Sequence, residues 1–537
     1  MTRTSGLVFL LLAAQIPASQ TLTSTGKEFI VVFPENIAYY HPSSPENKIW
    51  ITALHNDTVI TMSPSPAEEL PQNLAAGETK SFERTEELGK LDFNNNLIST
   101  PFKVFSISDK SIRITSSKDV VVQAISIRKR SVQSALVIPA DKLSMKYFLP
   151  PVPEIEGTTD QGVLVVNVTE RGPFRLIIIN PSNDTVKVAI KGGDEISGDI
   201  ESGKVAQIWV NNTSTPQFVE ADKPVAVFFS HPCAMQYDCT CGLLHAMLPP
   251  AKNHTVKFPV PPVLAEQASI LLSDQHSRRR EHFRSHSAVV QSAGTAILYR
   301  PTLLLTLIPE EEFGSCFVVP FIENKKNFLI IVVHNEHKDG IHIGKVPLKN
   351  ADWLELNGTD YVSTNISTSS PNTFVWHTSS TMAVYFVGNE NNTWFGNPAP
   401  VVSVTPDFRG CAVTPEVIKI LDDANSWQNS IQSCEDTGLN LISLSNNSLQ
   451  KQVCSKLPKN GVQKVWIGMR RSSMTGDWYW LNNDPFNNTN WAPGEQVGDG
   501  QCGVMSLKSS SNCGWNDEDC CKAIHPVCYR DPVILQI

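Results

Sequence analysis

Apolar residues in the first three quarters of the chain come in short runs rather than at helical spacing. Phe29-Ile30-Val31-Val32-Phe33, Val120-Val121-Val122-Gln123-Ala124-Ile125, Leu176-Ile177-Ile178-Ile179 and Phe328-Leu329-Ile330-Ile331-Val332-Val333 are rich in β-branched and aromatic side chains. Asn, Asp, Gly, Pro and Ser bound these runs. The pattern predicts strands through most of residues 20–405.

A degenerate repeat runs through the same region. One element is an apolar strand closing on an Asn-containing turn: Ile51 to Thr58, Ile178 to Thr185, and Ile331 to Asn335. The other is a polar turn feeding an apolar strand: Ser116 to Val122, Ala221 to Phe229, and Ser379 to Phe386. Three such units predict tandem β-sandwiches.

Past residue 410 the pattern changes. Trp427, Ile431 and Cys434 share one helical face, and Gly438 is placed to end that helix. Leu449, Val453 and Leu457 mark a second helix, with Asn447 or Ser448 as its expected cap. The strand Val465-Trp466-Ile467-Gly468-Met469 follows, then Trp478, Trp480 and a stretch rich in Asn, Gly and Asp. The C-terminal part is therefore α+β.

Length and charge narrow the function. At roughly 150 residues per domain, 537 residues predict three or four globular units. With 44 Lys+Arg against 53 Asp+Glu the net charge is −9, which argues against nucleic-acid binding. Residues 1–19, with Arg3 and the apolar Gly6–Ala14 run, read as a secretory signal peptide. No later run reaches the ~20 apolar residues of a membrane span, and the tail 531–537 is too short for a GPI signal. A secreted, extracellular protein is expected. Sequons at Asn56, Asn167, Asn183, Asn211, Asn212, Asn253, Asn357, Asn365, Asn391, Asn446 and Asn487 predict a glycoprotein.

Cysteine usage marks a boundary near residue 410. Four cysteines (Cys233, Cys239, Cys241, Cys316) precede it, and eight (Cys411, Cys434, Cys454, Cys502, Cys513, Cys520, Cys521, Cys528) follow. Both counts are even, as disulfide frameworks require. His231, Cys233, Cys239, Cys241 and His245 also have the ligand types of a zinc site, although disulfides are the simpler reading in an oxidising compartment. The cluster from His276 to His286 carries four arginines, which would repel a cation. A solvated loop is expected there, with a protease-cleaved basic loop as the alternative. No Gly-x-Ser-x-Gly elbow, phosphate loop or His-Glu-x-x-His occurs, so a non-enzymatic protein is expected. A secreted hydrolase with dispersed carboxylates is the reading from another class.

Two resemblances add to this. Gly26-Lys27-Glu28-Phe29-Ile30-Val31-Val32-Phe33-Pro34-Glu35-Asn36 and the Cys-poor β-rich region after it resemble the N-terminal domain of IgGFc-binding proteins. That implies immunoglobulin or mucus components as partners. Twelve cysteines cannot supply the Cys-rich von Willebrand type D repeats of that family, so gel-forming assembly does not carry over.

Residues 411–530 are similar to a C-type lectin domain. The matching pieces are Ser426-Trp427…Cys434, Trp466-Ile467-Gly468-Met469, Asn490-Trp491-Ala492-Pro493-Gly494-Glu495, and Trp515-Asn516-Asp517 before cysteines. The resemblance implies disulfides Cys434–Cys528 and Cys502–Cys520, and leaves Cys411, Cys454, Cys513 and Cys521 with three possible connectivities.

It also implies calcium shared between side-chain oxygens and sugar hydroxyls, with glycans or extracellular glycoproteins as ligands. Glu495, Asn516 and Asp517 match calcium- and sugar-binding positions of the family. The family's Glu-Pro-Asn or Gln-Pro-Asp triplet here reads Glu495-Gln496-Val497, which lacks both the proline and one oxygen ligand. The remaining carboxylate position falls near Gly500, where Asp499 or Gln501 is the available substitute. Ca²⁺ needs six to eight oxygens, so a protein-binding or structural module with a degenerate lectin fold stands beside the sugar-binding reading. Trp466, Trp478 and Trp491 are expected in the core rather than on a binding platform.

Overall fold

The computed structural model describes residues 23–535 apart from 38–42, 64–70, 89–105, 130, 159–163, 167–173, 194, 211–214, 236–240, 253, 266–267, 283–288, 369–372, 391–392, 458–461, 488, 493–497 and 508–512. The proposed leader falls outside these residues, as do Glu495 and the sequons at Asn167, Asn211, Asn212, Asn253 and Asn391. Two compact units divide the chain: Met1–Val375 with Thr381–Val404, and Trp376–Ser380 with Thr405–Ile537.

The first unit is almost entirely antiparallel β. A seven-stranded sheet is organised around the long strand Ile112–Arg128, and an eight-stranded sheet around Phe218–Met235. A four-stranded sheet contains Ser269–Ser273 and Thr295–Arg300, and a five-stranded sheet is centred on Lys326–His334.

The sequence repeat is a structural repeat. In each copy its two elements pair with each other, antiparallel. Glu46–Ala53 pairs with Ile112–Arg128 (Ile51 opposite Val122), Arg175–Ile179 with Phe218–Met235 (Ile178 opposite Val227), and Lys326–His334 with Met382–Glu390 (Ile331 opposite Val384). All six of these apolar residues are buried. Val-rich, Ile-rich strands suit this arrangement because branched side chains pack on a pleated surface.

One sequence reading changes here, and the disulfide reading holds for Cys233. The basic cluster is not a solvated loop where it is described: Arg278–His282 is a strand paired with Ser269–Ser273. Arg278 is buried and donates to Gln217 Oε1 at 2.8 Å and Pro150 O at 2.7 Å, and burial lowers its guanidinium to about 10. Its charge is held by two oxygens instead of water. In the zinc candidate, Cys233 is disulfide-bonded, and His231 Nδ1 accepts from the Cys233 amide at 3.1 Å. His245 stacks on Phe228 at 4.7 Å. Cys239 and the Cys241 side chain lie outside the described residues.

The second unit has the α+β order expected. Helix Trp427–Glu435 starts at Ser426, whose hydroxyl accepts from the Asn429 amide, and it buries Trp427, Ser430 and Cys434. Gly438 has φ +74° and lies where the Leu439 amide returns to Cys434 O at 3.0 Å. That left-handed conformation is why glycine sits there. Helix Asn447–Lys456 is capped by Asn446, not by Asn447 or Ser448: Asn446 is extended, and its Oδ1 accepts the Ser448 amide at 2.7 Å.

A sheet follows in the order Val417–Ile420, His525–Arg530, Lys464–Arg471, Cys502–Ser506, Trp515–Glu518. Disulfides join Cys434 to Cys528, Cys454 to Cys513 and Cys502 to Cys520. Cys411 is also disulfide-bonded, whereas Cys521 is a free, exposed thiol. The even cysteine count therefore does not mean complete pairing within this unit.

Candidate functional site

The Trp-Asn-Asp sequence forms strand Trp515–Glu518 against Cys502–Ser506, with Asp517 opposite Gly503 and Asn516 opposite Val504. Trp515 anchors it. Its ring is 1% exposed, its Nε1 donates to Gln450 Oε1 at 3.0 Å, and Trp480 meets it edge-on at 5.1 Å. Trp466 is fully buried, and Trp478 and Trp491 pack in a T-shape at 5.1 Å against the same core. These indoles hold the strand rather than offering a sugar platform.

Asn516 is 8% exposed, and its Oδ1 is buried with no hydrogen-bond partner. Leaving an amide oxygen desolvated and unpaired costs about 1–3 kcal/mol, so such atoms mark sites that a donor or a cation completes. The adjacent Asp517 is half-buried, and its Oδ2 accepts the Gly500 amide at 2.6 Å. The loop before Cys502 closes tightly over it: a Cβ on Gly498 would lie 2.2 Å from both Asp517 carboxylate oxygens. Glycine at 498 is thus a requirement of this approach, and sequence reading alone did not single it out.

Asp499 is exposed on the rim of a cavity of about 620 Å³ that Asp517, Gln501 and Arg470 also line. Two further carboxylates here are already engaged. Glu518 binds Lys464 at 3.3 Å and Lys522 at 2.6 Å; burial alone would raise its pKa, but these lysines and the Asp519 amide leave it below the usual carboxylate range. Asp519 accepts the Cys521 amide at 3.0 Å.

The structure therefore brings Asp499 and Asp517 to one cavity, with Asn516 the residue before Asp517 in the same strand. Glu495 falls outside the described residues. A side-chain amide and carboxylates are hard oxygen donors, which suit Ca²⁺ rather than a soft metal. Where calcium binds, Asn516 and Asp517 would hold it, with Asp499 within the same rim.

Two regions of the chain are similar to known proteins. Residues 423–530 match the family model for the lectin C-type domain, and residues 133–307 match that for IgGFc binding protein. C-type mannose receptor 2 of Mus musculus is 31% identical over 109 residues, which are 20% of this chain and 7% of that protein. C-type lectin domain family 4 member K of Homo sapiens is 31% identical over 112 residues, 20% of this chain and 33% of that protein. The chain thus spans well under half the length of these relatives. Among solved structures, the cow CD23 carbohydrate-recognition domain in the presence of GlcNAc2Man3 oligosaccharide is 24% identical, covering 22% of this chain and 89% of that one at TM-score 0.20. The murine dendritic cell inhibitory receptor 2 lectin domain in complex with N-glycan is 25% identical, covering 22% and 91%, also at TM-score 0.20.

Proposed function

We propose that this chain is an extracellular recognition protein whose C-terminal module binds glycans with the help of calcium. The observation that supports this most is the buried, unpartnered Oδ1 of Asn516, the residue before Asp517 in the strand that carries the lectin signature. Calcium supplies a centre that side-chain oxygens and two vicinal sugar hydroxyls share. Asn516 and Asp517 would hold ion and sugar together, with Glu495 and Asp499 as further carboxylates.

The N-terminal region is read as an immunoglobulin- or mucus-component-binding arm, on the strength of the family matched by residues 133–307. Both matched families are binding domains, and a non-enzymatic role is proposed accordingly. The six described sequon asparagines, Asn56, Asn183, Asn357, Asn365, Asn446 and Asn487, are all exposed, as glycan acceptors of a secreted protein need to be.

A second reading has its own support. Arg470 lines the Asp499–Asp517 cavity, and the Gly500 amide already occupies one Asp517 oxygen. Both features oppose a cation and favour a protein ligand in a degenerate lectin fold. Retention of the full chain on immobilised mannose- and galactose-terminated glycans, in calcium and then in chelator, separates the two. Retention in calcium, released by chelator and increased by Gln496→Pro with Val497→Asn, is the expected result. No retention on any glycan in millimolar calcium would leave the protein-binding reading.

A further inference from the structure

The strand Lys326–His334 ends on His334, and a 3₁₀ turn, Asn335–Gly340, begins immediately after it. A 3₁₀ turn has three residues per turn, so side chains three apart fall over one another. His334 and His337 obey this rule, with ring centroids 5.8 Å apart. Glu336 lies between them in sequence. One donor atom from each of His334, Glu336 and His337 lies within 4.8 Å of the others.

A further feature points to a cation at this place. His334 Nδ1 is buried and has no hydrogen-bond partner, although its ring is fixed edge-on against Tyr361 at 5.9 Å. A buried imidazole nitrogen left unpaired is a ligand atom without its metal or its donor. The turn itself is held by backbone, the Asn335 amide donating to Asp360 O at 2.8 Å.

We propose that His334, Glu336 and His337 form a zinc site in the N-terminal region, separate from the lectin module. Two imidazoles and one carboxylate are a borderline donor set, which selects zinc over calcium or magnesium. Three protein ligands leave the fourth tetrahedral position to water or to a side chain of a bound partner. The Glu336 and His337 side chains, both exposed, would turn to close the donors onto one ion.

The test uses the full-length protein carrying Cys521→Ser, which removes the free thiol as a competing ligand. After chelation and dialysis, equilibrium dialysis against micromolar zinc should show one bound equivalent by elemental analysis. His337→Ala and Glu336→Gln, both at exposed positions that leave the fold intact, should each weaken that binding at least tenfold. Cobalt loaded in place of zinc should give the visible absorption of a tetrahedral ion, lost in His337→Ala. Millimolar calcium should not displace the zinc. Unchanged zinc stoichiometry and affinity in His337→Ala and Glu336→Gln, or no zinc bound by the parent, would overturn the proposal.

Discussion

In the N-terminal region whole strands vanish into the interior: Arg175–Ile179, Val205–Trp209, Ser269–Ser273 and Cys316–Val319 are buried at every position. The C-terminal module buries less of its length and adds other restraints. Three disulfides cross-link it, and an ion network closes its ends. Arg409 there contacts Asp407 at 2.8 Å, Glu416 at 3.2 Å, Asp531 at 2.9 Å and the Tyr529 hydroxyl at 3.1 Å. Glu416 in turn meets Gln452 at 2.6 Å and Lys456 at 2.7 Å. A small module encloses a smaller fraction of its surface than a large one, so covalent and ionic ties carry more of its stability. The larger unit relies on apolar area, and its weak points are the few polar groups it buries.

The largest effect that tests this contrast is loss of a lectin-module disulfide. Cys434–Cys528 spans a sequence separation of 94, for which the chain-entropy model gives about 4.7 kcal/mol; Cys502–Cys520 spans 18, for about 3 kcal/mol. Cys434→Ser should therefore lower secretion and denaturation midpoint more than Cys502→Ser, and both more than Cys233→Ser in the larger unit. Equal yields for all three would erase the distinction.

Arg409→Met comes next. It leaves Asp407 and Glu416, each with a side chain 2% exposed, without their shared cation. Removing one partner of such a network costs about 3–5 kcal/mol. Chemical denaturation should show the loss in the C-terminal transition alone.

Acid should separate the units by pH. Burial lowers His245 to about 3, so the folded state keeps it neutral while the unfolded chain takes up a proton below about 6.5. Its contribution is complete above pH 6.5 and is lost as pH falls toward 3, at up to about 1.4 kcal/mol per pH unit. Asp407 behaves differently. Burial alone would raise it, but Arg409 outweighs burial and leaves it below its ordinary 3.8. Its contribution is present above that value and is lost only as pH falls through the lowered one. The N-terminal unit should begin to weaken below pH 6.5 and the lectin module only below about 4. His245→Phe should flatten the first slope in fluorescence-monitored melts.

How much of this was legible in the sequence depends on how far each feature reaches along the chain. The paired repeat strands were legible because β-branched runs recur with their turns. The lectin module was legible because Trp515, Cys434 and Cys528 stand in a known order. The cap at Asn446 was missed by one residue, since Asn446, Asn447 and Ser448 can all cap and only the backbone turn chooses among them. The burial of Arg278 was missed because its partners, Gln217 and Pro150, are distant in sequence. The Arg409 network was invisible for the same reason, joining residues 407–416 to 529–531. His334-Asn-Glu-His337 left a signal, two histidines three apart around a glutamate, but the spacing becomes meaningful only once the 3₁₀ turn is known.

The smallest effect concerns the turn after the first lectin helix. Gly438→Ala places a Cβ at φ +74° in open space, so only backbone strain opposes it. About 1 kcal/mol should be lost, read as a small downward shift of the module's melting temperature. A comparable loss from Gly203→Ala, at φ +67° in the larger unit and also in open space, would show that the local penalty is the same in both regions.

The central claim is that Asn516 and Asp517 complete a calcium site. Isothermal titration of calcium into the full-length protein, its Asp517→Ala variant and its Asn516→Ala variant tests it directly. Binding by the wild type at millimolar concentration or below, abolished in Asp517→Ala and weakened in Asn516→Ala, is the predicted result. No heat of binding in the wild type, or the same isotherm in all three proteins, would contradict it.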